Sequence, residues 1–294
     1  MASSLRSYHS GDRAAVVDLS RHALQRPEEQ VGNPLWASLD ELDSELGDWD
    51  SPPEETLFVE DQDGDVVGFG GVEVSPGWQH ADLFGPLVAA GYRGRKIGTA
   101  LLEASVERAG DRGAHAVLAS VGARNLTGRI LLEASGFHPW GRAEAVFRLH
   151  EADHRPVEEA PSAVTVRRGK PDDLDVALRL YHESFPEGAF PEAAWLTSLR
   201  AGTVYLAETP TGPVALVNID PSDRWIYHLG VAEAERSRGI GGWLLSSALS
   251  DHWARHPRET LGLSVRANNV PALRLYRRQG FAPWLVLETF ELAL

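Results

Sequence analysis

The chain repeats itself once, with a long period, and no other feature constrains its fold as much. Arg93-Gly-Arg-Lys-Ile-Gly98 followed by Thr-Ala-Leu-Leu returns as Arg236-Ser-Arg-Gly-Ile-Gly241 followed by Gly-Trp-Leu-Leu, an offset of 143 residues. Gly136-Phe137 returns as Gly280-Phe281, an offset of 144. Upstream, Leu5-Arg-Ser-Tyr-His-Ser-Gly-Asp12 parallels Val166-Arg-Arg-Gly-Lys-Pro-Asp-Asp173, each opening a helical pattern. A chain of 294 residues has room for two domains of ordinary size. A single continuous domain would not account for two copies of the same order of elements. Between them, residues 151–162 are charged, proline-bearing and without apolar period, as a linker is. The division expected is therefore 1–150, a linker over 151–162, and 163–294.

Each half reads as strand, helix, helix, two hairpin strands, strand, helix, strand, helix, strand. In the C-terminal half the strands fall at Thr165–Arg167, Thr203–Glu208, Val214–Ile219, Trp225–Val231, Leu261–Val265 and Leu285–Leu292. The helices fall at Asp172–Tyr181, Glu192–Leu199, Gly239–His252 and Val270–Gln279. Strands first paired by a hairpin and then joined through helices imply an α/β (α+β) fold, a mixed, mostly antiparallel sheet flanked by helices. Only the first half carries Ser38–Glu55, which has eight acidic residues and no basic one. It reads as a solvated helix and loop, or as a flap that attracts cations.

Composition narrows the chemistry. With no cysteine the chain has no disulfide, no thiolate metal site and no cysteine nucleophile. A net charge of −14 opposes phosphate backbones, so nucleic acid is not an expected partner. No run approaches the roughly 20 apolar residues of a membrane span, and the N-terminus lacks an apolar signal core, so a cytoplasmic protein without membrane contact is expected.

Leu229–Leu245 runs a strand into a glycine-bearing turn that starts a helix, which leaves backbone N–H groups unpaired at the positive end of the helix dipole. Gly239, Gly241 and Gly242 leave room for an anion to approach the main chain, and Arg236 and Arg238 add charge. Neither the dinucleotide fingerprint nor the lysine-containing nucleotide-triphosphate loop is present. Downstream, Asn269-Val-Pro-Ala-Leu-Arg-Leu-Tyr-Arg-Arg-Gln-Gly-Phe281 opens a helix just after a strand and closes it at Gly280. Taken alone, Tyr276 fits a core position with its hydroxyl at the rim.

Together the two motifs resemble the GCN5-related N-acetyltransferase (GNAT) superfamily, in both halves. The family's R/Q-x-x-G-x-G/A loop matches Arg236–Gly241, and its Asn-x-x-Ala, Leu-Tyr and Gly-Phe signature matches Asn269, Ala272, Leu275, Tyr276, Gly280 and Phe281. The resemblance implies tandem acyl-CoA N-acyltransferase domains that bind acetyl-coenzyme A between the fourth and fifth strands. The pyrophosphate would rest on Arg238, Gly239, Ile240, Gly241 and Gly242, and the pantetheine on main chain near Leu229 and Val231 and on Asn269. A primary amine attacks the thioester directly, so no enzyme nucleophile and no metal are needed. By resemblance Tyr276 is the general acid beside the sulfur, and a main-chain N–H near Val231 polarises the carbonyl.

The base is open. Trp225 stands where members of the family often place a carboxylate or histidine, six residues before Val231. His228 has a suitable pKa range, although strand alternation puts it on the opposite face from Trp225, Tyr227 and Leu229. Tyr227, Glu183, Glu187 and a water chain are further candidates. In the N-terminal copy Lys96 replaces the loop glycine and Leu132 the tyrosine, while Asp82, six residues before Val88, stands where a base belongs. That half reads as a diverged domain with a second coenzyme site at Val88, Arg93, Gly94, Arg95, Gly98, Thr99 and Asn125, or with a structural role only. The organisation is similar to that of mycothiol synthases, which acetylate the cysteinyl amine of a sugar thiol precursor, although an acidic residue is expected there in place of Trp225. The acceptor expected is a small cationic amine, handled by a monomer or homodimer. A non-catalytic coenzyme-binding protein, and acyl transfer from another acyl-CoA, a carrier or a tRNA, are the alternatives.

Overall fold

A computed structural model describes all residues except 1–2, 27–30, 33–35, 48, 50, 75–78 and 187–189. The chain forms two compact units, Met1–Ala145 with Leu285–Leu294, and Val146–Trp284. The first repeat runs β1 (Ser3–Ser7), α1 (Arg13–Leu24), α2 (Leu39–Gly47), α3 (Pro53–Thr56), β2 (Leu57–Gln62), β3 (Asp65–Glu73), β4 (His80–Val88), α4 (Ile97–Asp111), β5 (Ala116–Gly122), α5 (Leu126–Ala134) and β6 (His138–His150). The second runs β7 (Thr165–Arg168), α6 (Leu174–Ser184), α7 (Glu192–Ala201), β8 (Val204–Thr209), β9 (Gly212–Asp220), β10 (Trp225–Val231), α8 (Ile240–Trp253), β11 (Thr260–Arg266), α9 (Val270–Arg278) and β12 (Ala282–Ala293). These bounds follow the hydrophobic periods to within a few residues at each end.

In the first unit the strand order is β1-β2-β3-β4-β5-β12, antiparallel along β1 to β4, parallel between β4 and β5, and antiparallel between β5 and β12. In the second it is β6-β11-β10-β9-β8-β7, with β10 and β11 parallel. The closing strands are thus exchanged. Leu287–Ala293 of β12 pairs residue by residue with Gly122–Ala116 of β5, and the end of β6 from Val146 belongs to the second unit. The boundaries drawn from the sequence, 1–150 and 163–294, differ from this at both closing strands. Periodicity identifies a strand and its buried face but carries no information on which copy supplies its neighbour.

Residues 151–162 also differ from a free linker. They lie within the second unit, where the Arg155 N–H donates to the Gln279 carbonyl at 3.0 Å and the Val157 N–H to Ser246 Oγ at 2.9 Å. This cover explains why α8 is buried at Ile240, Leu244, Leu245, Ser246, Leu249, His252 and Trp253, around most of its circumference. The acidic segment of the first half is a packed helix: Leu42 and Leu46 of α2 enter a core with Trp36 and Phe69, and Trp49 meets Phe84 at 4.8 Å. Asp48 and Asp50 lie outside the described residues.

Both repeats begin with the same clamp. Arg6 grips Asp12 through two nitrogens at 2.8 Å each, and Arg167 grips Asp173 at 2.7 and 2.8 Å. Each aspartate also accepts a backbone N–H three residues earlier, from His9 at 3.0 Å and Lys170 at 2.8 Å, which starts the helix that follows. Burial alone would raise the Asp12 carboxyl, but Arg6 and the His9 N–H outweigh it and hold it low; Arg167 does the same for Asp173. A lowered carboxyl contributes stability that is full above the ordinary carboxylate value of about 4 and is lost as pH falls through the lowered one. With half-exposed arginines each clamp is worth about 1 kcal/mol at most. The double variant Asp12→Asn/Asp173→Asn is therefore expected to lose a modest part of its urea midpoint at neutral pH. It should also show a shallower decline below about pH 4 than the parent chain.

Candidate active site

In the second unit β10 and β11 are partners only at Trp225 and Gly262, and beyond that pair the two parallel strands diverge. A bulge between Tyr227 and Gly230 interrupts the pairing of β10 with β9 on the other side, and His228 occupies it at φ +49°. The result is a wedge whose open end faces the turn into α8. Arg236 braces that turn, its Nε donating to the Val231 carbonyl at 3.0 Å. Gly239 takes the position before α8 at φ +81°, a region that costs a residue with a Cβ roughly 1 kcal/mol or more. No side chain caps α8. The N–H groups from Arg238 to Gly242 have no acceptor among the described residues, so they form an anion-binding fan at the positive end of the dipole. Arg238 is paired with Glu235.

Asn269 caps α9 by accepting from the Ala272 N–H at 3.3 Å. The same helix carries Tyr276, whose ring packs against Phe281 at 5.6 Å and Phe147 at 6.5 Å. Burial pushes its phenol up to about 12. It is a proton-bearing group at any ordinary pH, held rigidly by its ring.

His228 does not follow strand alternation, because the bulge turns it into a box of aromatic rings. Phe190, Tyr181, Trp195, Phe185 and Tyr227 surround it at centroid distances of 4.6 to 5.8 Å. Its Nε2 is enclosed without a partner, and burial lowers its pKa to about 4. Such an imidazole is neutral at pH 7 but a weak acceptor for an ammonium proton, which argues against the base role expected for it. The other candidates are engaged: Glu183 Oε1 accepts from the Glu233 N–H at 2.5 Å, and the Tyr227 hydroxyl bonds Asp223 at 2.7 Å. Trp225 lies against Gly262. Glu187 lies outside the described residues. The box itself was legible only as scattered aromatics, since Phe185 and Phe190 fall between the expected helices and have no periodic signal.

The first unit repeats this frame with altered parts. β4 and β5 pair from His80 to Asp82 and then diverge, and Arg93 Nε donates to the Val88 carbonyl at 3.1 Å. Gly85, at φ +78°, is the counterpart of His228. Lys96 takes the left-handed position of Gly239 at φ +64°. Asn125 caps α5, accepting from the Gly128 N–H at 2.8 Å. Leu132, in place of the tyrosine, is fully buried, and Asp82, at the end of its paired stretch, reaches solvent while the surrounding chain still pushes its carboxyl up, partly offset by His80.

Comparison with known proteins agrees with this frame in both units. The sequence profile of the Acetyltransferase (GNAT) family matches residues 21–137 and 173–281. The chain belongs to that family, in a tandem arrangement, and is an acyltransferase. It is 28% identical over 261 residues to a mycothiol acetyltransferase of Clavibacter michiganensis subsp. michiganensis, covering 80% of this chain and 79% of the relative. A crystal structure of a GCN5-related N-acetyltransferase from Sphaerobacter thermophilus superposes with a TM-score of 0.81 at 22% identity, over 99% of this chain and 95% of that one. A tandem GNAT protein from the clavulanic acid biosynthesis pathway superposes with a TM-score of 0.73 at 17% identity, over 99% and 98%. Among the described residues no helix is long and apolar enough to cross a membrane.

Proposed function

We propose that the chain transfers an acetyl group from acetyl-coenzyme A to the primary amine of a small molecule, in its C-terminal unit. The observation that carries this reading is the coincidence, in that unit, of the diverging β10 and β11, the free N–H fan at Arg238–Gly242 and the buried, proton-bearing phenol of Tyr276. These fit the three parts of the donor. The fan suits a pyrophosphate, the exposed edge of β10 at Leu229 and Val231 suits an amide-bearing arm, and Tyr276 suits the departing sulfur. The thioester supplies the electrophile; the remaining tasks fall to the protein. The N–H of Val231 polarises the carbonyl, the wedge orients the arm, Asn269 stiffens the helix that carries Tyr276, and Tyr276 donates to the sulfur.

Among the described residues of the second unit no carboxylate or imidazole is held ready for the ammonium proton, which leaves through water. The net charge of −14 favours the approach of a cationic amine. Thiol release from acetyl-coenzyme A should be measured over a panel of amines that includes aminoglycosides, simple diamines and the cysteinyl amine acetylated by mycothiol acetyltransferases. At least one is expected to turn over with kcat/KM rising with pH along the amine's own ionisation, in the parent and in His228→Phe alike. A profile that levels off near pH 6 and is lost in His228→Phe would put that histidine on the proton path. Tight coenzyme binding with no turnover on any amine would favour a non-catalytic coenzyme-binding protein.

A further inference from the structure

The wedge of the first unit is filled by the chain itself. Val31 forms an antiparallel bridge with Val121 of β5, and the Gly32 N–H donates to the Ser120 carbonyl at 2.7 Å. Gly32 is simultaneously pressed on β4: a Cβ placed on it would lie 2.3 Å from Gly85 N, 2.7 Å from Leu83 O and 2.8 Å from Gly85 O. Residues 31 and 32 therefore lie between the two diverging strands, against the bulge, where a thioester and an amine would have to meet. Val31 is only 6% exposed and belongs to one apolar cluster with Leu83, Val121, Leu132 and Phe137. Leu132 stands where the second unit has its tyrosine.

Two further residues are adapted to this filling. The Asn-x-x-Ala of the second unit, Asn269 to Ala272, is Asn125 to Gly128 in the first. A Cβ on Gly128 would meet Val31 Cγ2 at 2.4 Å and Asn125 Nδ2 at 2.6 Å. The small side chain that the second unit carries is thus excluded by the Val31 methyl. On β4, the counterpart of Leu229 is Pro86, which has no N–H to offer an amide-bearing arm. In the second unit, among the described residues, no such segment bridges β10 or β11, and Ser264, the counterpart of Ser120, is exposed.

We infer that Val31–Gly32 is an intramolecular occupant of the first unit's coenzyme wedge, and that the chain binds one acyl-coenzyme A, in the second unit. The inference rests on the donor proposed above. It withdraws the second coenzyme site expected at Val88, Arg93, Gly94, Arg95, Gly98, Thr99 and Asn125, and leaves that loop as a structural turn.

Coenzyme A itself is the probe. Native mass spectrometry of the full chain at rising coenzyme A should saturate at one molecule per chain, and Gly239→Asp should weaken that one more than tenfold. Hydrogen exchange on the parent chain should show protection by coenzyme A at 238–242 and none at 95–99, which keeps the test independent of whether the variant folds. Two molecules per chain, or one bound with parental affinity by a folded Gly239→Asp, or protection at 95–99, overturns the inference while sparing the donor. No binding at any concentration overturns the donor assignment, and the inference falls with it. Gly128→Ala reads the filling directly: it should lower the urea midpoint, and the added change Val31→Ala should restore part of it. Equal midpoints for the parent and Gly128→Ala would contradict the contact.

Discussion

Tyr276→Phe is expected to lower kcat about 100-fold and to leave the KM for acetyl-coenzyme A within about twofold. The ring contacts with Phe281 and Phe147 survive the substitution, so the loss reports the hydroxyl alone. A phenol pushed up to about 12 keeps its proton throughout the working range. Full transfer to a thiolate whose acid has a pKa of about 8.5 is uphill. The hydroxyl therefore acts chiefly as a hydrogen-bond donor to charge building on sulfur, which sets the effect at the lower end of the range for general acids. For the same reason no loss of activity from Tyr276 should appear below about pH 10. Steady-state kinetics across pH checks both points. An equal rise in KM with kcat unchanged would mean that Tyr276 only holds the donor.

Gly239→Asp is expected to raise the KM for acetyl-coenzyme A more than tenfold. Gly239 is left-handed at φ +81° at the mouth of the N–H fan, so the change adds strain and sets a carboxylate beside the phosphate charge. A tenfold loss corresponds to about 1.4 kcal/mol, a modest demand for like charges a few ångströms apart. The contrasting change, Lys96→Gly in the first unit, relieves a left-handed lysine and should leave turnover untouched while stabilising the chain by up to about 1 kcal/mol. Donor titration and thermal melting of the two variants separate the roles of the two loops.

The frame of both units was legible because its signals are local. The apolar period of α6, the hairpin between β8 and β9, and the glycine before α8 each depend on a few adjacent residues. Three features depended on long-range placement and were not legible. The exchange of β6 and β12 leaves every strand pattern unchanged and alters only the neighbour. The bulge at His228 reverses the face that alternation assigns, and a histidine at φ +49° has no sequence mark beyond the parallel with Gly85. The insertion of Val31–Gly32 shows in the sequence only indirectly, as the glycine at 128 where the second copy has Ala272, and as Pro86 where it has Leu229. Those two mismatches read as drift until the contact that requires the first of them is seen.

Catalysis by the second unit alone is tested most directly by thiol release from acetyl-coenzyme A, at saturating amine, in two full-length variants assayed side by side. Tyr276→Phe should turn over about 100-fold more slowly than the parent, and Arg95→Ala/Lys96→Ala should match it within about twofold. Near-parental turnover in Tyr276→Phe, together with a large loss in Arg95→Ala/Lys96→Ala, would place the chemistry in the first unit and contradict the assignment.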